Sequence, residues 1–184
     1  MIGKTLTDCR PPLLSNFAYF RLVKTLYVVR HAKSSWDHPS LTDFQRPLNS
    51  RGEKDAPRMG KRLLKQNIKP DLIFSSPAVR ALTTAQIIAG VVGYAAGDIK
   101  ESPALYHASE ETILEVLRSI EDDADTVMIF GHNPGLTDFV NELLGAEIGN
   151  IPTTGVVAGK LGIDSWKDAT WNCGKLQFFD YPKK

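Results

Sequence analysis

The sequence predicts an α/β domain, a three-layer α/β/α sandwich with a mostly parallel central sheet. Three observations predict it. Short β-branched and aromatic runs recur at residues 25–29, 71–74 and 126–130, the composition of strands buried on both faces. Stretches with apolar residues at helical spacing separate them. A chain of 184 residues, 42% apolar and 23% charged, is sized for one globular domain.

The elements follow in order. Thr25 to Val29 is the first strand. Ser50-x-x-Glu53 reads as a capping box that opens a helix with Ala56, Met59, Leu63 and Leu64 on one face, kinked at Pro57 and ending before Pro70. Asp71 to Phe74 is a second strand, after which Ser76-Pro77 reads as the cap and first residue of a helix ending near Gly90 or Gly93. Ser109 caps a third helix carrying Ile113, Val116, Leu117 and Ile120. Thr126 to Phe130 is a third strand, and Asn133-Pro134 reads as the start of a helix closed by Gly145. Val156 to Ile163 and Lys175 to Tyr181 are the last strands. The alternation places helices on both sheet faces.

Twenty-two basic and 21 acidic residues give a net charge of +1, so no broad cationic surface for nucleic acid is expected. The split is uneven. Residues 1–24 hold Lys4, Arg10, Arg21 and Lys24 against Asp8 alone, whereas residues 25–184 are net acidic. We read 1–24 as an extension, flexible or arising from a mis-assigned start, and 25–184 as the domain. Ser15, Asn16 and Arg21 break the apolar run that a secretory signal needs, and an organellar transit peptide is the second reading of this basic segment. No apolar stretch is long enough to span a membrane. Cys9 and Cys173 build no disulfide framework, which points to a cytoplasmic protein.

The chemistry gathers at strand ends. Ligands of open α/β sheets bind beyond the carboxyl ends of the strands. There the sequence sets Arg30-His31, Ser75-Ser76-Pro77 with Arg80, and Gly131-His132-Asn133-Pro134. Two arginines and two histidines therefore converge beside helix N-termini, which favour anions. Guanidinium forks match phosphate oxygens, and an imidazole can attack phosphorus. The expected ligand is a phosphoryl group.

These motifs, with Ala32, Ala78-Val79, Ala81 and Thr84-Ala85, resemble the histidine phosphatase superfamily, whose fold is phosphoglycerate mutase-like. Arg30 to Trp36, Asp43 to Leu48 and Arg51-Gly52 are similar to the SixA-type phosphohistidine phosphatases. The resemblance spans about residues 24 to 181. It implies that His31 is a nucleophile transiently phosphorylated, that Arg30, Arg80 and His132 bind the phosphoryl oxygens, and that inorganic phosphate is the product. It implies no cofactor and no metal, and the grouping of His31, Asp37 and His38 is a weak metal set. Mutase-like members place an acidic glutamate where this chain has His107 after Leu105-Tyr106. A phosphorylated imidazole is the easier leaving group, so this departure favours phosphohistidine over sugar phosphates. His107 is the preferred general acid and Asp43 the alternative.

Around this set, Arg46 either lines the pocket mouth or is surface charge, and Ser34 either donates to phosphate or caps its loop. Arg51 and Arg58 read as surface charge and His38 as structural. Trp36, Trp166 and Trp171 read as core or rim aromatics, Gly131 as room for close backbone approach, and Cys173 as a small buried residue. Only 51 residues separate Arg80 from His132, little room for a lid, so the expected substrate is phosphohistidine on a protein. A phosphotransfer domain of a histidine kinase relay or a sugar-transport phosphocarrier fits. A small-molecule phosphomonoesterase and a non-catalytic phosphate-binding module are the competing readings.

Overall fold

The computed structural model describes residues 23–184. The readings made for the extension fall on residues 1–22 and lie outside the described residues. Lys24, grouped with the extension by composition, is the first residue of β1 (Lys24–Arg30).

The sheet has six strands in the order β3-β2-β4-β1-β5-β6, with β2 Leu72–Ser75, β3 Lys100–Glu101, β4 Thr126–Gly131, β5 Val156–Leu161 and β6 Gly174–Asp180. β1, β2, β3 and β4 run parallel, whereas β5 and β6 add antiparallel. The two-residue edge strand β3 carries no apolar run, so the sequence does not announce it. The expected α/β sandwich is present.

Strand alternation divides the core. Leu26, Val28, Val127 and Ile129 face one side and pack with α3 (Glu110–Arg118) and α4 (Gly135–Leu144). Tyr27, Val29, Met128 and Phe130 face the other and pack with α1 (Ser50–Lys65) and α2 (Val79–Val92). Each central strand is therefore apolar throughout, which is why its sequence shows a run rather than an alternation.

Register positions the site. Arg30 pairs with Gly131 and Ser75 with Phe130, so β1, β4 and β2 end at nearly one level. His31 N–H continues the ladder to Gly131 O at 3.1 Å, and Ser76 N–H to Phe130 O at 3.0 Å.

Three helix starts differ from the sequence reading. Asn49, not Ser50, caps α1, accepting from Arg51 N and Gly52 N. The helix then runs unbroken through Pro57. α2 begins at Val79, because Ser76 Oγ lies 2.9 Å from His132 Nε2. α4 begins at Gly135 after a cis Asn133–Pro134 bond, and Asn133 Nδ2 donates to Asn150 Oδ1 and Ile151 O. Ser109 caps α3 as expected, and Gly93 and Gly145 close α2 and α4 in left-handed conformation.

Close backbone approach falls at glycines the sequence did not single out. A Cβ on Gly52 would sit 2.2 Å from Lys33 O, and one on Gly135 would sit 1.9 Å from Ala108 O. At Gly131 it would meet only Leu136 at an ordinary 3.5 Å, so no steric demand fixes that glycine. Gly52→Ala and Gly135→Ala are each expected to cost about 1–3 kcal/mol in urea unfolding. Gly90→Ala, at an exposed helical site with nothing within 4 Å, should instead stabilise by about 0.5–1 kcal/mol.

Candidate active site

A cavity of about 250 Å³ opens beyond the aligned strand ends, lined by Arg30, His31, Arg80 and His132 together with Ser34, Asp43, Arg46 and His107. Every site residue read from the sequence reaches it. The imidazoles of His31 and His132 lie 5.0 Å apart.

The tautomer of His31 is set by its surroundings. Nδ1 lies 2.7 Å from Ala32 O, and a carbonyl only accepts, so Nδ1 carries the proton. Nε2 keeps its lone pair and receives the Arg80 Nε–H at 3.4 Å. Burial lowers the His31 pKa to about 3; the Ala32 bond opposes this, and Arg80, Arg30 and Arg46 reinforce it. Burial likewise lowers His132 to about 2, helped by His31 and Arg80. Both rings are neutral at physiological pH. The main chain beside His31 is pinned by Thr84, whose Oγ1 accepts from Ala32 N and donates to Arg80 O. Thr84 thereby ties the β1 loop to α2.

Asp43 organises the opposite wall. Its Oδ2 accepts from Arg80 Nη2 at 2.8 Å, Tyr106 Oη at 2.9 Å and His107 Nε2 at 3.1 Å, and its Oδ1 from Arg46 Nη1 at 2.9 Å. Partial burial opposes ionisation, yet the four donors outweigh it and hold the carboxyl well below the usual carboxylate range. Asp43 therefore has no proton to give near neutral pH. This sets Asp43 aside as a proton donor and leaves His107, half exposed at the rim, as the other general-acid candidate beside the cavity.

Arg46 is buried rather than solvated. It donates to Ser35 O, Ser34 Oγ and Asp43, and its guanidinium lies 3.3 Å above the exposed Trp36 ring. Ser34 accepts from Arg46, so its hydroxyl holds a cation in place as well as lining the cavity. Trp36 is a rim aromatic, Trp166 is fully buried, and Trp171 is half buried against Phe139. Cys173 is only half buried, contrary to its reading as a small buried residue. Arg51 is surface charge in part, reaching Asp55 and Thr153.

Ser76 and Tyr106 were not identified from sequence as site residues. Ser76 accepts weakly from Ala78 N at 3.4 Å and orients His132; its position directly after β2 was the available signal. Two buried nitrogens, Arg30 Nε and His132 Nδ1, have no hydrogen-bond partner among the described residues.

Residues 26–107 match the histidine phosphatase superfamily, branch 1. An uncharacterized chloroplastic protein of Arabidopsis thaliana is 33% identical over 79% of this chain and 70% of its own. The chain belongs to the histidine phosphatase superfamily. A structure assigned as the phosphohistidine phosphatase SixA of Agrobacterium tumefaciens is similar at 27% identity, with a TM-score of 0.74 over 86% of this chain and 98% of its own. The protein histidine phosphatase SixA complexed with tungstate shares the fold, with a TM-score of 0.74 at 19% identity, over 86% of this chain and 97% of that one. Membership of this superfamily supports phosphatase activity. No helix among the described residues is long and apolar enough to cross a membrane.

The depressed histidines fix a sign for acid stability. An unfolded chain binds protons near pH 6.5 whereas folded His31 binds one only near pH 3, so stability is complete above 6.5 and falls as pH drops. The slope approaches about 1.4 kcal/mol per pH unit for each ring. His132→Asn is expected to lose less Tm than the wild type between about pH 7 and pH 4.

Proposed function

We propose that this histidine phosphatase removes phosphoryl groups from phosphohistidine carried by a protein. The observation that carries this reading is the ionised Asp43, bound by four donors in the wall of the cavity. An alkoxide leaving group needs a strong proton donor, and this carboxylate is not one. A departing imidazole needs far less, because its nitrogen accepts a proton near neutral pH. Cavity size supports the same reading: about 250 Å³ falls below the roughly 300–1,000 Å³ of pockets that enclose a whole small ligand.

His31 Nε2 attacks phosphorus, a P–N bond forms, and the P–N bond to the substrate imidazole breaks. His107 donates the proton that the leaving nitrogen takes up. Arg30 and Arg80 offset charge on the equatorial oxygens, and His132 donates from its unpartnered Nδ1. Ser34 and Arg46 complete the cradle. Water then attacks the phosphorus on His31 and gives a proton back to His107; the P–N bond to Nε2 breaks, releasing inorganic phosphate and restoring the neutral ring. The substrates are phosphotransfer domains or phosphocarrier proteins, and the reaction is set in the cytoplasm, consistent with a chain of two cysteines.

His31→Ala should lower kcat by about a thousandfold or more and abolish an acid-labile covalent phosphoenzyme, detected by mass spectrometry after rapid quenching. Comparison of kcat/KM on a phosphohistidine protein and on a panel of phosphate monoesters tests the substrate; a monoester preference sinks the reading. His107→Ala is expected to lower kcat by about tenfold or more and to reshape the pH profile. A profile identical to the wild type removes His107 from the mechanism.

A further inference from the structure

Seven large apolar side chains are exposed among the described residues, and four either line the cavity or lie within two residues of one that does. Trp36 lines it at 72% exposure. Leu41 and Phe44 flank Asp43 in the same loop, and Val79 precedes Arg80 at the start of α2. Phe44 is held edge-on against Tyr106, with ring centroids 5.2 Å apart. Such side chains have no use for a lone phosphate, whereas clustered apolar anchors around a polar centre are the usual core of a protein interface.

A second feature leads away from the same mouth. The first turn of α1 packs on Lys33, with Asn49 N donating to Lys33 O. From there the exposed Lys54, Arg58, Lys61 and Lys65 follow one side of the helix. They border a groove of about 380 Å³. None of these four side chains has an ion pair or side-chain hydrogen bond among the described residues. At about 1.5 Å per residue the ridge extends roughly 16 Å. It stands out on a domain that is net acidic.

We propose that these two features form one docking surface for an acidic folded protein. The partner presents its phosphohistidine within an apolar patch that seats on Trp36, Leu41, Phe44 and Val79, and its carboxylates meet the α1 ridge. The proposal rests on the phosphohistidine reading above. It separates turnover, performed by the cavity, from recognition, performed by residues outside it. Charge on the ridge speeds encounter and makes binding salt-sensitive, while the apolar anchors slow release.

Two variants test it, Leu41→Asp with Val79→Asp, and Lys54→Glu with Arg58→Glu, Lys61→Glu and Lys65→Glu. The probes are a histidine phosphotransfer domain phosphorylated with phosphoramidate, and free phosphohistidine. Each variant should raise KM for the protein probe about tenfold or more, with kcat/KM on free phosphohistidine unchanged. The ridge variant should also lose the salt dependence of the wild type. Wild-type KM values in both variants would overturn the docking surface alone, and failure of the wild type to hydrolyse either phosphohistidine probe would overturn the functional reading with it. A variant-dependent change of oligomeric state in sedimentation would assign the face to a second copy. Retention of DNA by the wild type, lost in the ridge variant, would assign the ridge to nucleic acid. Either result overturns the proposal.

Discussion

Everything at the site depends on three parallel strands ending at one level. Because Arg30 pairs with Gly131 and Ser75 with Phe130, the next residues of β1 and β4 are two histidines, and the next residue of β2 is the serine that orients one of them. Parallel strands need crossover helices, and those helices bury both sheet faces. The apolar core therefore supports the site directly. Side chains from distant stretches of sequence are held by a hydrogen-bond ladder rather than by flexible loops.

That convergence carries an electrostatic cost, which the histidines absorb. Holding three guanidiniums, two of them buried, beside two imidazoles would be prohibitive if the imidazoles were also charged. Burial and the arginines keep both rings neutral, and the Ala32 carbonyl selects which nitrogen of His31 holds the proton. The ring state that suits the proposed nucleophile thus follows from the same packing that gathers the cations. Local strand and helix chemistry, not a dedicated base, sets the state of the ring.

The strands, the helix faces and the residues at the strand ends were legible in the sequence because each leaves a local mark. Apolar runs mark β1, β2 and β4, and Arg30, His31 and His132 lie at or immediately after a strand end. Direction leaves no such mark, so the antiparallel pairing of β5 and β6 emerged only with the fold. Ser76 and Asn133 look like caps because their side chains suit caps, yet tertiary partners claim them. Asp43 was visible as a residue but not in its role: its donors come from positions 46, 80, 106 and 107, and no local pattern links them. The demand for glycine at 52 and 135 is equally non-local, since each opposes backbone far from it in sequence.

On the proposed function, Asp43 has a consequence for turnover. Its carboxylate already satisfies Arg46 and Arg80, so an anion entering the cavity does not meet bare cations but competes with a resident one. Binding is then an exchange of ligands around two guanidiniums, and its net gain is the difference between two similar attractions. The same exchange runs in reverse when phosphate leaves: the carboxylate stands ready to recapture both arginines. A pocket of this kind gives up part of its affinity for free phosphate and is protected, to that extent, against being held by its own product.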